Sequence, residues 1–396
     1  MSYFCIIYDI CTRDLLSTRN LKAFFVWPKR FRQVHLAKQT FSLPNCLWFN
    51  LLTSETKLQL ARDPDLILKK WHALKKKPDY IIIDEIQKNP KLLDVVHQGI
   101  ENYKIKFILT GSSARKIKRG SANMLAGRAF EFFMLPFSVF ELEKDFSLDI
   151  ALNYGMLPEI YSKELESSED KERYLYSYIS TYLKEEIAAE QIVRNLDPFR
   201  KFLDVAAQMN GQIINYSKIG RDAGIDPKQV ERYFPILIDT LIGFNLEPHH
   251  QSIRKRQNAK AKFYFFDVGV CRALQNNLST HLNSKTTEYG NAFEHFFILE
   301  IFKINMSLEK RWKLSYLRVN DNQEVDLIIE TKTKTYLIEI KSSSKIDPHD
   351  IRKMTYFKTS FPKAQFLLLS QDKNEFAESG ILCQHWLTGL EMLKNL

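Results

Sequence analysis

Apolar residues along this chain recur in two rhythms. In the first third they come as short runs at residues 23–27, 47–52, 80–83 and 106–110. Runs of that length, bounded by Pro, Gly or Asn, predict strands buried on both faces. Between them, residues 57–70 and 92–100 carry apolar positions at helical spacing, and Pro90 stands where a helix can begin. Strands alternating with helices predict a parallel sheet with right-handed crossovers. From residue 138 to about 209 the pattern is mostly helical. There, residues 171–195 predict one long helix with Tyr174, Leu175, Tyr178, Ile179 and Leu183 as its core-facing stripe.

The next segment is punctuated more sharply. A short helix at 217–223 ends at Gly224, Asp226 caps the next helix, and Pro227 opens it. Val230, Phe234, Leu237 and Ile238 give that second helix one apolar side. A β-rich stretch follows with Arg254, Lys255, Arg256, Lys260 and Lys262 on it, a helix-turn-helix plus wing layout. Residues 289–303 predict a helix that is apolar nearly all round yet contains Glu294 and Glu300, which must be paired or metal-bound if buried. Residues 324–330 and 335–341 then predict a hairpin about a four-residue loop. If Glu330 faces Thr335, Asp326 lies opposite Glu339, and Glu324 opposite Lys341. Residues 366–369 predict one more strand, whereas 1–20 and 375–396 carry no clear pattern.

Composition narrows the class. The chain has 396 residues, 45% of them apolar and 13% aromatic, enough for two or three folded domains. A net charge of +10 favours an anionic partner, DNA above all, although many soluble proteins are simply basic. The five cysteines are scattered without metal-ligand spacing and read as free thiols of a reducing, cytoplasmic compartment. No apolar run is long enough to span a membrane and no signal-peptide layout is present, so no membrane partner is expected.

The sharpest chemical signal is the strand 80–83 running into Asp84 and Glu85. Paired acids at the carboxyl end of a buried parallel strand fit a Walker-B arrangement, with Asp84 on magnesium and Glu85 polarising water. The plain alternative is a strand ending in solvated acids. A hydroxyl of the 110–113 turn, Ser112 in particular, would orient the water or sense a phosphate, or it closes an ordinary turn. Arg128 would stabilise a transferring phosphoryl group, or it belongs to a basic loop.

The blocks YIIIDEIQKNPKLLDVVHQGI, FILTGSSARKIKRGSANMLAGRAFEF and LPFSVFEL resemble a prokaryotic family of AAA-type P-loop ATPases. The resemblance continues through YGMLPEIY, YISTYLKEEI and FYFFDVGVCRAL and covers roughly residues 21–345. It implies ATP and magnesium as cofactors and a second, C-terminal region. It also requires a glycine-rich phosphate loop after the first strand, because backbone N–H groups must approach the phosphates and a lysine must reach them. The segment that opens at Trp27 and closes at His35, Trp-Pro-Lys-Arg-Phe-Arg-Gln-Val-His, stands in that place and holds no glycine and no Gly-Lys-Ser. Its residues therefore offer a degenerate Walker-A segment, and none of them is assigned to the cofactor. Read one base later, the codons from Trp27 to His35 begin with an obligatory GGC and permit Gly-Pro-Lys-Gly-Phe-Gly-Lys-Ser-Thr. Two compensating single-base shifts, from sequencing error or pseudogene decay, would account for the lesion. A codon for Arg32 whose third base is not G rules that out. The chain as written is expected to bind ATP very weakly and to hydrolyse none at a useful rate, and ordinary turnover of radiolabelled ATP counts against this.

In the last third, a helical Glu294, then Asp326, then Glu339-x-Lys341 resembles the core of the PD-(D/E)xK nucleases, with Val325 where the usual proline stands. Carboxylates facing each other across a hairpin repel unless a cation lies between them, and magnesium suits them. Lys341 would position or activate a hydrolytic water. A charged edge hairpin is the simpler alternative.

The expected fold is α/β. A parallel-sheet P-loop NTPase domain spans 21–137, a helical and winged-helix region 138–275, and a restriction-endonuclease-like α/β domain 285–390. Lys228, Arg232, Arg254, Lys255, Arg256 and Lys260 are the expected nucleic-acid contacts. Three functions stay open: a DNA-associated AAA-type ATPase, a magnesium-dependent nuclease with a regulatory nucleotide domain, and a non-catalytic binding module. A homo-oligomer is compatible with each.

Overall fold

The structure is a computed structural model of the chain. It describes residues 46–111, 133–180, 196–249, 260–320 and 323–396 in full, and 3–8, 130–132 and 181–182 by backbone alone. The chain divides into two compact units, Met1–Leu135 and Pro136–Leu396.

In the first unit the order of elements is β1 (Tyr3–Tyr8), β2 (Cys46–Asn50), α1 (Ser54–Arg62), α2 (Leu66–Ala73), β3 (Tyr80–Asp84), α3 (Leu92–Tyr103), β4 (Phe107–Gly111) and β5 (Phe130–Met134). They form a sheet of order β2-β3-β4-β1-β5. Ile81, Ile83, Phe107 and Leu109 of the central strands are buried against Leu60, Ile67, Val96 and Ile100 of the helices. Strands β2, β3 and β4 are parallel, as the strand–helix alternation requires. Strand β1 corrects the expectation of an all-parallel sheet. It runs antiparallel to both β4 and β5, with Phe4 level with Gly111 and Tyr8 level with Phe107. The expected strand at 23–27, which ends on Trp27, lies outside the described residues. The single helix expected at 57–70 is two helices, broken at Asp63 and Pro64, because proline removes a donor and pushes the residue before it out of the helical region.

The second unit contains α4 (Val139–Leu142), α5 (Leu148–Tyr154), α6 (Ser168–Ser177), α7 (Leu196–Gln208), α8 (Tyr216–Ala223), α9 (Pro227–Asp239), β6 (Gly243–Pro248), β7 (Lys262–Phe265), α10 (Val268–Leu274), α11 (Thr287–Ser307), β8 (Lys313–Asn320), β9 (Gln323–Glu330), β10 (Thr335–Ile340), α12 (Pro348–Tyr356), β11 (Gln365–Ser370), β12 (Phe376–Glu378), β13 (Ile381–His385) and α13 (Trp386–Lys394). Its sheet has eight strands in the order β12-β13-β11-β10-β9-β8-β6-β7. The long helix expected at 171–195 instead passes into a π-helical turn at Tyr178–Tyr182, beyond which the residues lie outside the description. Strand β8 and the elements from β12 onward were not legible as patterns, although Ile381 and Cys383 alternate on a strand and Trp386, Leu390 and Leu393 share a buried helix face. Among the described residues no helix is long and apolar enough to cross a membrane.

Three features of this unit position the chemistry. First, Glu247 and Pro248 of β6 pair parallel with Ser315 and Tyr316 of β8, which joins the β6–β7 hairpin to the C-terminal sheet. Second, Glu300 and Lys303 of α11 are fully enclosed. Lys303 Nζ lies 2.8 Å from Glu300 Oε1 and donates to the Phe137 carbonyl at 2.6 Å, while Val139 N donates to Glu300 Oε2 at 2.9 Å. The buried acid is therefore answered by a lysine and a backbone amide, not by a metal. Third, the start of α10 presses on the end of α5. Asp267 accepts from Val270 N at 3.0 Å and from Met156 N at 2.7 Å. A Cβ on Gly269 would lie 2.0 Å from the Tyr154 carbonyl oxygen. Gly269→Ala is expected to destabilise the chain by about 2–3 kcal/mol or more, since backbone must move to admit the methyl group. An unchanged urea midpoint would count against this packing.

Candidate functional site

The acid pair of the first unit stands at the carboxyl end of β3. Asp84 and Glu85 are both buried. Thr110 Oγ1, from the neighbouring β4, donates to Asp84 Oδ1 and accepts from Glu85 N at 3.4 Å. Glu85 has φ +61°, a left-handed conformation that costs a non-glycine residue about 1–2 kcal/mol. Such strain collects at functional turns. Among the described residues the hydroxyl that reaches the acids is that of Thr110; Ser112 and Arg128 lie outside the described residues. Trp27, His35 and every residue between them, the degenerate Walker-A segment, lie outside the described residues too. Next to β4, the described strand β1 starts at the edge where Asp84 lies and runs away from it. A phosphate loop follows a strand that ends at that edge.

The second constellation is in the C-terminal sheet. The hairpin has the expected register, with Thr335 facing Glu330 and Ile338 facing Leu327. Continued by one pair, it brings Asp326 level with Glu339, and Asp326 Oδ2 accepts from Ile340 N at 2.8 Å. Helix α11 adds Glu294. Strand β7 adds Lys262 and Tyr264, which share a face because strand side chains alternate. Asp326, Glu339, Glu294 and Lys262 line one cavity of about 500 Å³, together with Arg318, Glu324, Lys341, the exposed Lys353 and the 211–213 turn.

Contacts in the cavity pair opposite charges. Lys341 Nζ lies 2.7 Å from Glu339 Oε1 and 3.7 Å from Asp350 Oδ1. Lys262 Nζ lies 2.6 Å from Glu324 Oε1 and 3.6 Å from Glu294 Oε1, and Tyr264 Oη donates to Glu294 Oε1 at 2.8 Å. Arg318 Nε is 3.8 Å from Glu324 Oε2. Glu339 Oε2 is buried without a hydrogen-bond partner. Burial, then the neighbouring Glu339 and Glu294, pushes the Asp326 carboxyl well above the usual carboxylate range. Burial also raises Glu339, against the pull of Lys341. Burial opposes the Lys341 ammonium, but Glu339 and Asp326 outweigh it and hold it charged. The same balance, with Glu294, Asp326 and Glu324 as the acids, holds Lys262 charged.

Several expectations change here. Lys262, read as one of the wing cations, is 6% exposed and belongs to the cavity. Glu294, expected on a metal, is taken by Tyr264 and Lys262, and among the described residues no three His, Cys, Asp or Glu side chains could hold one ion. What fits magnesium is the pair Asp326 and Glu339, since magnesium keeps several waters and takes one or two carboxylates. The unpartnered Glu339 Oε2 is the oxygen such an ion would use. Lys228 and Arg232 are exposed on α9, beside the equally exposed Glu231 and Asp239. Lys260 is exposed, with Nζ 5.7 Å above the Tyr216 ring. Arg254, Lys255 and Arg256 lie outside the described residues. Sequence reading missed Lys262, Tyr264 and Glu324 as site residues. The alternation of Lys262 and Tyr264 was the available signal, but only the β6–β8 pairing gives it meaning.

Residues 32–143 match the AAA domain family, residues 146–281 a domain of unknown function (DUF8612), and residues 289–386 a domain of unknown function (DUF4143). Uncharacterized protein Rv2008c of Mycobacterium tuberculosis and Uncharacterized protein Mb2031c of Mycobacterium bovis are each 25% identical over 269 residues, which is 67% of this chain. The match spans 59% of each relative's own length. The crystal structure of protein VC1899 from Vibrio cholerae aligns over 89% of this chain and 97% of its own, at 12% identity and a TM-score of 0.21, a likeness that establishes no common fold. The chain thus carries an AAA-type P-loop ATPase-like domain at residues 32–143 and a DUF4143 domain at residues 289–386.

Proposed function

We propose that this protein is a DNA-associated member of the AAA-type ATPases whose working chemistry, in the chain as written, is magnesium-dependent phosphodiester hydrolysis at Asp326, Glu339 and Lys341. The observation that carries this reading is the convergence of those three side chains with Glu294 around one polar cavity. Asp326 and Glu339 would hold magnesium, which supplies charge neutralisation at the phosphate and a more acidic water. Lys341, kept as an ammonium between Glu339 and Asp350, positions the water and stabilises charge gathering on the phosphoryl oxygens. Water adds to phosphorus as one P–O ester bond breaks. The water's surplus proton and the proton taken up by the leaving oxygen are exchanged with solvent.

DNA association draws support from the net charge of +10 and from the order of elements in the middle of the chain. Helices α7, α8 and α9 are followed by the β6–β7 hairpin, and an Ile213–Lys262 bridge adds a third strand position, an order of elements that supports a winged-helix reading. Nucleotide hydrolysis at Asp84 and Glu85 is disfavoured, because 27–35 holds no glycine to let a phosphate approach the backbone.

Nicking of supercoiled plasmid in magnesium tests the reading. The wild-type chain is expected to nick, Asp326→Ala to lose more than about 100-fold of that rate, and Glu85→Gln to behave as wild type. Asp326→Ala nicking at the wild-type rate, or no nicking by the wild type, would overturn it.

A further inference from the structure

The cavity has two sides, each with a pair of carboxylates, and Lys262 lies directly between the members of one pair. On one side Glu294 and Glu324 face Lys262 and Arg318, so two acids meet two cations. The Lys262 side chain is 6% exposed, and its nitrogen sits 2.6 Å from one carboxylate and 3.6 Å from the other. That is where an ion bridging two carboxylates would lie. On the other side Asp326 and Glu339 face Lys341, with Lys262 acting on Asp326 from farther off. Lys353 also lines the cavity but is solvent-exposed and strongly screened. On this second side a carboxylate oxygen, Glu339 Oε2, is buried with no partner although its residue is 7% exposed.

Resting on the magnesium reading above, we propose that Lys262 is a built-in cation that occupies the place of a second metal ion, so that the site takes a single divalent cation at Asp326 and Glu339. Lys262 is suited to a fixed post. It lies on β7 between the Ile213 bridge and β6, and its strand neighbours Phe263 and Phe265 are buried. Its role is positional: it holds Glu294 and Glu324 neutralised and keeps a second ion out.

Manganese binding to the full metal-free chain tests this, measured by titration calorimetry and by the EPR signal of free Mn²⁺. All proteins carry Asp84→Asn, so that the acids of the first unit do not contribute. One ion per chain is expected for this reference. Removing the ammonium in Lys262→Met, or in the more polar Lys262→Gln, is expected to raise the number to two, and Lys262→Arg to restore one. Asp326→Ala should abolish binding in the reference. If both Lys262→Met and Lys262→Gln fold and still bind one ion while Asp326→Ala binds none, the built-in cation is overturned and the magnesium site stands. Two ions in the reference overturns the built-in cation as well. If Asp326→Ala binds as the reference does, or the reference binds none, the site itself falls and the inference with it.

Discussion

A chain with methionine in place of Lys303 should unfold at a free energy lower by about 3–5 kcal/mol. Lys303 is 3% exposed and Glu300 is completely buried, and the two are 2.8 Å apart. Removing the lysine leaves the Glu300 carboxylate inside the protein with the Val139 amide as its donor. It also strips the Phe137 carbonyl of the ammonium 2.6 Å away. Water cannot compensate at so enclosed a position, which is why half a buried ion pair is worse than none. The double variant Glu300→Leu with Lys303→Met should therefore recover most of the loss. Urea unfolding of the two variants and the wild type measures this. A single variant as stable as wild type, or a double variant no better than the single, would show that the pair does not anchor residues 137–139 to helix α11.

The second large effect falls on chemistry. Lys341→Met is expected to lower magnesium-dependent nicking by about 100-fold or more, while metal affinity stays equal or rises. The lysine supplies no ligand to a metal. It supplies positive charge 2.7 Å from Glu339 Oε1, so its loss makes the carboxylates a stronger cation site and the transition state a poorer one. Nicking rates at saturating magnesium, set beside Mn²⁺ titration of the same proteins, separate the two. Equal losses in both would reduce Lys341 to a prop for the metal site. Asp350, 3.7 Å from the same nitrogen, would then be the next residue to vary.

The two units were not equally legible. In the first, β3 is legible as a strand because its run is short, β-branched and bounded by breakers, and Thr110 falls beside its acids through parallel pairing of β3 with β4. The break between α1 and α2 was not read, because the apolar spacing of 57–70 was followed through Pro64, whose missing donor outweighs it. Nothing local in 1–20 indicates that β1 will run antiparallel between β4 and β5, because which strand fills a gap in a sheet depends on its neighbours' free backbone groups.

In the second unit the strand period and the four-residue loop were enough to place Asp326, Glu339 and Lys341. The sequence by itself determined the acid-tipped strand, the hairpin register, the helical acids that had to be paired, and the absence of glycines between Trp27 and His35. These follow from side-chain period and backbone stereochemistry, which act over a few residues. Tertiary structure alone decided that Glu300 is held by Lys303 and Val139, and that the β6–β7 hairpin joins the C-terminal sheet. It also turned the side chain of Lys262, on that hairpin, into the cavity with Glu294 and Glu324. Those outcomes depend on residues far apart in the chain, whose charges interact only once the sheet has brought them together and excluded water from between them.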